Sequence, residues 1–167
     1  MRYFAYGSNM STRRLAARID SAHRISLASL PGHQLRWHKQ GRDGSGKCDV
    51  HYTGEGSHVV IGVLFEIDER DKPLLDRFEG LGNGYRELAV ELLGPGGECW
   101  PAFTYQATLT DPDIRPYLWY KRHVLEGALE HGLPADYVEQ LRAVAALEDP
   151  DVERHRRELY IYERWDT

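Results

Sequence analysis

One glutamate, one glycine turn and a scatter of histidines and cysteines are the residues of this chain whose types and spacing bear on chemistry. Glu79 follows Phe78 and precedes Gly80 at the close of a helical run, so its charge falls at the negative end of a helix dipole and beside an aromatic ring. Both disfavour the charged form, which suits a general base; a solvated glutamate beside a glycine C-cap is the ordinary alternative. The second feature is Tyr3-Phe4-Ala5-Tyr6-Gly7-Ser8-Asn9, a short aromatic strand entering a glycine turn with two small polar residues. From Ser11 the pattern is that of a capped helix with Leu15 and Ile19 one turn apart on one face. A strand, a glycine turn and a helix leave backbone N–H groups unpaired at the turn, where they can hold a carboxylate or a developing oxyanion. An ordinary strand-to-helix connection fits the same residues.

Other chemistries fit less well. Among eight histidines, His51 with His58 and His33 with His38 are placed to meet across hairpins. No His-Glu-x-x-His helix and no Cys/His pairs at zinc spacing occur, so no metal is assigned. Cys48 and Cys99 have no Cys-x-x-Cys spacing and no local nucleophile signature, and each reads as a small strand residue. Gly44-Ser45-Gly46 and the first turn match neither a Walker nor a dinucleotide fingerprint, so no cofactor is expected.

The elements that must position these groups come from the rest of the chain. Its 167 residues suit one domain, 1–167, with 149–167 a charged and aromatic C-terminal extension that should dock. A net charge of −5 and a pI near 5.9 lack the basic surplus of a phosphate-backbone binder, so no nucleic acid is expected. No run is long and apolar enough to cross a bilayer, and the N-terminus opens with a strand rather than a leader; the expectation is a cytoplasmic protein with no membrane partner. Ile25–Leu30 and the alternation around Leu35 and Trp37, joined by Pro31-Gly32, predict a hairpin. Residues 41–47 read as a flexible loop bordering a substrate mouth. Cys48–Thr53 is extended, and His58–Ile67 is apolar enough to be a central strand. Asp68 caps a helix to about Phe78 that buries Leu74, Leu75 and Phe78. Arg86–Leu93 and Glu98–Thr108 form a hairpin around Gly94–Gly97, with Pro101 keeping its early part off-centre. From Pro116 a helix carries Tyr117, Tyr120 and Val124 on or near one face, and a second helix spans Ala135–Leu147. Strands in the middle and helices at the ends predict an α+β fold.

Tyr6-Gly7-Ser8-Asn9 after an N-terminal strand, Phe78-Glu79-Gly80 after the second helix, and the late run from Tyr120-Lys121 through Gly127-Ala128-Leu129-Glu130-His131-Gly132-Leu133-Pro134 to Tyr137 resemble the γ-glutamylcyclotransferase family. The resemblance covers most of residues 2 to 145 and leaves out the loop before Cys48 and the tail after Asp149. It implies a small mixed β-barrel flanked by helices and a cofactor-free cyclisation of a small γ-glutamyl compound to 5-oxoproline with release of an amine. Carried over by position, Glu79 is the acid and base. Tyr3, Phe4, Ala5, Tyr6, Gly7, Ser8 and Asn9 form or enter the loop that holds the γ-glutamyl group. Tyr120 is the substrate-contacting tyrosine of the late helix, with Tyr117 a close competitor and Tyr85 a candidate wall residue. The turn sequence favours this branch over γ-glutamylamine cyclotransferases.

The reaction itself asks little of a protein. The substrate carries its own nucleophile, the α-amine, and well-oriented intramolecular attack accounts for roughly 7–11 kcal/mol of barrier. Two other readings share the residues: a γ-glutamyl amidase that uses water, and a non-catalytic γ-glutamyl-binding module.

Overall fold

The structure, a computed structural model, describes residues 1–163. Its strands are β1 (Arg2–Ala5), β2 (His23–Pro31), β3 (His33–Gln40), β4 (Gly46–Tyr52), β5 (Val59–Glu66), β6 (Tyr85–Leu93) and β7 (Cys99–Ala107). Five of them close into a barrel in the order β1-β5-β2-β6-β7, with β7 returning to β1 in parallel at Phe103 and Tyr3 and the other pairs antiparallel. This is the mixed barrel of an α+β fold. β5 lies between β1 and β2, as its apolar run predicts, and Val60, Val63, Leu64 and Phe65 are buried. Pro101 pairs only toward β6, on the part of β7 that β1 does not reach, where its missing N–H leaves no gap in a ladder.

One predicted hairpin does not form. β2 pairs with β5 and β6, whereas β3 pairs with β4 in a separate two-stranded sheet. The Pro31-Gly32 turn is captured by the 52–58 connection: Pro31 pairs with Val59, the Gly32 N–H donates to the His58 carbonyl at 2.8 Å, and the Gly32 carbonyl accepts from Thr53 at 2.9 Å. Gly32 has φ +73°, so the chain leaves the barrel through a left-handed turn instead of folding back on β2.

The helices are α1 (Thr12–Ala16), α2 (Lys72–Glu79), α3 (Leu118–Glu130), α4 (Ala135–Ala143) and α5 (Val152–Glu163). Asp68 accepts from the Arg70 N–H at 2.9 Å at the start of a single 3₁₀ turn before α2. The buried side of α2 differs from expectation: Leu75 is fully buried, but Leu74 and Phe78 are exposed. The inward stripe runs Lys72, Leu75, Asp76, Glu79, and three of these four are charged, so hydrophobic spacing pointed to the wrong face. Lys72 pairs with Asp76 at 2.5 Å, and Asp76 accepts from the Tyr105 hydroxyl at 2.6 Å. α4 stops at Ala143, four residues before its predicted end, because Leu147 pairs in extended form with the segment before α3: its N–H donates to the Pro116 carbonyl at 2.9 Å.

The charged tail docks through α5. The Tyr162 hydroxyl donates to Ser11 Oγ at 2.9 Å, Arg14 pairs with Glu158 at 2.7 Å, and Leu159 packs on the core. Trp165, part of the same expectation, lies outside the described residues. No helix among the described residues is long and apolar enough to cross a membrane.

Candidate active site

The turn after β1 is a 3₁₀ turn, Ser8–Met10, in which Met10 N–H bonds to the Gly7 carbonyl at 3.0 Å and Ser11 N–H to the Ser8 carbonyl at 3.3 Å. Among the described residues no group accepts from the N–H of Ser8 or Asn9, the first donors of that turn. Gly7 is needed for space rather than for a left-handed conformation. Its φ is −116°, and a Cβ there would lie 3.0 Å from Cys48 Cβ and 3.3 Å from the Tyr120 hydroxyl. α3 presses on the turn from behind: a Cβ on Gly127 would stand 2.4 Å from Ser11 N and 2.5 Å from Met10 C.

Glu79, at the end of α2, reaches the same turn from the opposite side. Its Oε1 accepts from Arg18 Nη1 at 2.6 Å and from Asn9 Nδ2 at 2.8 Å, and the same Arg18 nitrogen donates to Asn9 Oδ1 at 2.8 Å. Asn9 Nδ2 also donates to the Tyr3 hydroxyl at 2.9 Å. No hydrogen bond among the described residues is made to Glu79 Oε2. The apolar setting expected from Phe78 is absent: that ring turns outward, its face 5.5 Å from the Arg18 guanidinium, and an ion pair with both side chains about 15% exposed takes its place.

These groups line a narrow inner cleft of about 20 Å³ formed with Tyr6, Tyr85, Tyr105, Tyr120 and Cys48. It opens, through Ser8, Glu79, Tyr85 and Tyr120, into an outer cleft of about 230 Å³ bordered by Arg14, Arg18, Lys39, Gly41, Arg42, Asp43, Lys47 and Arg77. The inner space admits one small functional group, so a larger ligand must extend into the outer cleft. The walls are fixed by tyrosine hydroxyls. Tyr120 accepts from the Cys48 N–H at 3.0 Å, Tyr85 donates to the Cys48 carbonyl at 2.6 Å, and Tyr6 donates to the Tyr105 carbonyl. Burial drives the hydroxyls of Tyr3, Tyr6, Tyr85 and Tyr120 far above the ordinary tyrosine range, so all four are neutral. Burial likewise raises the Cys48 thiol, which is therefore a packing residue and no thiolate nucleophile.

Of the residues selected from sequence, Tyr3, Tyr6, Gly7, Ser8, Asn9, Glu79, Tyr85 and Tyr120 meet at the cleft. Phe4 and Ala5 do not. Both are buried in the core, paired with Leu64 and Val63 of β5, and Phe4 packs on Gly62 away from the site. Tyr117 is also absent from the cleft: it lies one residue before α3 in extended form, and its hydroxyl donates to the Asp43 carbonyl at 3.3 Å. The 41–47 loop does border the mouth, but it is held: Lys47 pairs with Asp43 at 2.9 Å, and Ser45 is buried. His38 forms a hydrogen bond with Asp49 at 2.8 Å and meets His51 edge-on, a pairing different from those weighed across the hairpins.

Arg14, Arg18 and Lys39 were missed. The first two had a readable signal, since they stand four apart in the segment read as a helix, beside Leu15 and Ile19; in the structure α1 ends at Ala16 and Arg18 follows in a turn. Arg14 ties the turn to α5: its Nε donates to Ser8 Oγ at 3.1 Å, and its Nη1 donates to His123 Nε2 at 2.8 Å and to Glu158 at 2.7 Å. An accepting Nε2 puts the His123 proton on Nδ1, facing the Tyr162 hydroxyl at 2.7 Å. Burial first of all holds this imidazole neutral, lowering it to about 4.

Comparison with known proteins adds independent findings. A family model described as the AIG2-like family matches residues 59–141. γ-Glutamylcyclotransferase of Bos taurus is 31% identical over 147 residues, spanning 85% of this chain and 77% of that protein, and that of Homo sapiens matches to the same extent. A solved structure titled γ-glutamyl cyclotransferase superposes with a TM-score of 0.81 at 25% identity, covering 97% of this chain and 98% of that one.

Proposed function

The chain belongs to the γ-glutamylcyclotransferase family, and we propose that it cyclises a γ-glutamyl amino acid or amine to 5-oxoproline, releasing the amine, with Glu79 as acid and base. The observation that carries the site assignment is the carboxylate of Glu79, with Oε1 fixed by Arg18 and Asn9 and Oε2 unengaged at the cleft. Oε2 takes a proton from the α-ammonium, and the freed amine attacks the γ-carbonyl. The new C–N bond leaves a tetrahedral oxyanion whose ring nitrogen is cationic; as it collapses, the original amide C–N bond breaks, Glu79 returns its proton to the departing nitrogen, and the ring nitrogen then gives up its second proton through Glu79 to the released amine, leaving 5-oxoproline and an ammonium. The N–H groups of Ser8 and Asn9 supply donors for the oxyanion or the α-carboxylate. Tyr6, Tyr85 and Tyr120 wall the folded substrate, and Tyr120 rather than Tyr117 is its contact in the late segment, a reading supported by the place of each in the fold. The chemistry needs no cofactor, because ring closure is intramolecular and only protons move.

The test is turnover of a panel of γ-glutamyl amino acids and amines in ¹⁸O-labelled water. The expected product is 5-oxoproline without label, since the nucleophile is the substrate amine. Labelled glutamate as the main product points to the amidase, and binding of every member without turnover points to the non-catalytic module; either result overturns the proposal.

A further inference from the structure

Lys39 is 6% exposed, yet its ammonium has no hydrogen-bond acceptor and no carboxylate within ion-pair distance among the described residues. The nearest group of note is the face of Tyr85, 4.6 Å from Nζ. Its neighbours at the outer cleft behave differently: Arg14 pairs with Glu158, Arg18 with Glu79 and Lys47 with Asp43. The stem is buried while Nζ itself keeps access to the outer cleft, so its hydration there is what an anionic ligand group would replace.

The surrounding backbone is shaped to keep it there. Lys39 pairs with Lys47 of β4 on one side and bridges Thr110 on the other, and the next residue, Gln40, donates its N–H to the Leu109 carbonyl at 3.0 Å. Gly84, at φ +111°, makes room for the side chain: a Cβ there would be 2.9 Å from Lys39 Cε and 3.1 Å from Nζ. Burial lowers the ammonium below the ordinary lysine range; the negative charge of Glu79 opposes this, and Arg42 adds to it. Asp43 opposes the lowering too, but it pairs with Lys47 and not with Lys39. Arg42 and Arg77 extend the same positive field along the rim, neither in an ion pair among the described residues.

Lys39 borders the outer cleft and not the inner one, where the Gly7–Asn9 turn lies. With the γ-glutamyl group against that turn and the scissile amide at Glu79, the outer cleft receives the part of the substrate that leaves. We propose that Lys39 is a specificity-determining residue that pairs with an anionic group on the departing amine, as on an amino acid that keeps its carboxylate. This rests on the cyclotransferase reading.

The experiment compares kcat/KM for γ-glutamyl-alanine and γ-glutamyl-alaninamide, which differ only in that carboxylate, in the wild type, Lys39→Met and Lys39→Arg. The wild type is expected to prefer the acid by about ten- to a hundredfold, the range of a hydrogen bond to a charged group. The preference should fall to near one in Lys39→Met and be largely restored in Lys39→Arg. A ratio of two substrates on one preparation is unaffected by the fraction of enzyme folded, so a merely structural role would lower both numbers and leave the ratio intact. That result, or equal use of acid and amide by the wild type, overturns the role of Lys39 alone. Failure of the wild type to release 5-oxoproline from either substrate overturns the cyclotransferase reading and this proposal with it.

Discussion

Replacing Glu79 by Gln separates two things that position alone would confuse. The side chain sits at the C-terminus of α2, where loss of a negative charge should stabilise by about 0.3–1 kcal/mol. The structure reverses the sign. Arg18 Nη1 and Asn9 Nδ2 both donate to Oε1, and the Arg18 side chain is only 14% exposed. Gln keeps an oxygen at that place, so neither donor is orphaned, but both bonds lose their anionic acceptor. Charge-assisted bonds are worth about 1.5–3 kcal/mol against roughly 1 for neutral ones, and Arg18 remains charged, so the loss is about 1–2 kcal/mol. Against the dipole gain, the net is about 1 kcal/mol of destabilisation, or about 2–4 °C in Tm for a chain of this size. Catalysis should suffer far more, by about 10²–10⁴-fold in kcat, since an amide cannot take the ammonium proton. The measurements are urea and thermal unfolding, kcat for one γ-glutamyl substrate, and calorimetric binding of that substrate to the variant, which should persist. Turnover near the wild-type rate removes Glu79 as the base. Raised stability refutes the account of its ion pair.

Gly127→Ala should raise helix propensity by about 1 kcal/mol and still destabilise by roughly 1–3, because the new methyl meets the backbone of Met10 and Ser11; urea midpoints and kcat should fall together as the turn is displaced. Tyr120→Phe removes the acceptor for the Cys48 N–H and should weaken kcat/KM by about 0.5–1.5 kcal/mol with the fold intact, whereas Tyr117→Phe should leave it nearly unchanged; the reverse order would refute the assignment. His123 is at about 4 folded against 6.5 for the free side chain. The unfolded chain therefore binds the proton more readily, so the contribution is whole above pH 6.5 and is lost as pH falls toward 4, on the order of 3 kcal/mol in all. A urea-midpoint profile that is flat between pH 6.5 and 4, after allowance for acidic groups by comparison with His123→Gln, would contradict this.

What could be read from the sequence was local. Tyr6-Gly7-Ser8-Asn9, the Asp68 cap, the Gly94–Gly97 hairpin and the apolar run of β5 each record in adjacent residues the structure they adopt. The barrel order was not readable, because Pro31-Gly32 is compatible with a hairpin, and the 52–58 connection decides otherwise. The inward face of α2 was obscured for a related reason. Burial is normally apolar, but here Lys72, Asp76 and Glu79 turn inward because Arg18, Tyr105 and one another supply their partners. Phe78, the residue a hydrophobic reading would bury, is left outside.

The same logic explains why Lys39 and the anchoring of the tail escaped notice. A charged residue in a strand reads as a solvent-facing position, and only the approach of Tyr85 and Gly84 from a distant segment makes Lys39 buried. In α5, Glu158 lies 144 residues from the Arg14 it pairs with. Burial alone would raise that carboxylate, but the Arg14 guanidinium bonded to it helps hold it down at about 2, so it is a full negative charge at any pH where the protein works. Arg14 in turn holds Ser8 Oγ, two residues from the Met10 backbone on which Gly127 packs. The turn is thus fixed by a helix at the far end of the chain as well as by its own glycine, and the tail that a reading of motifs set apart is bonded through Arg14 to Ser8, one of the residues expected to hold the substrate.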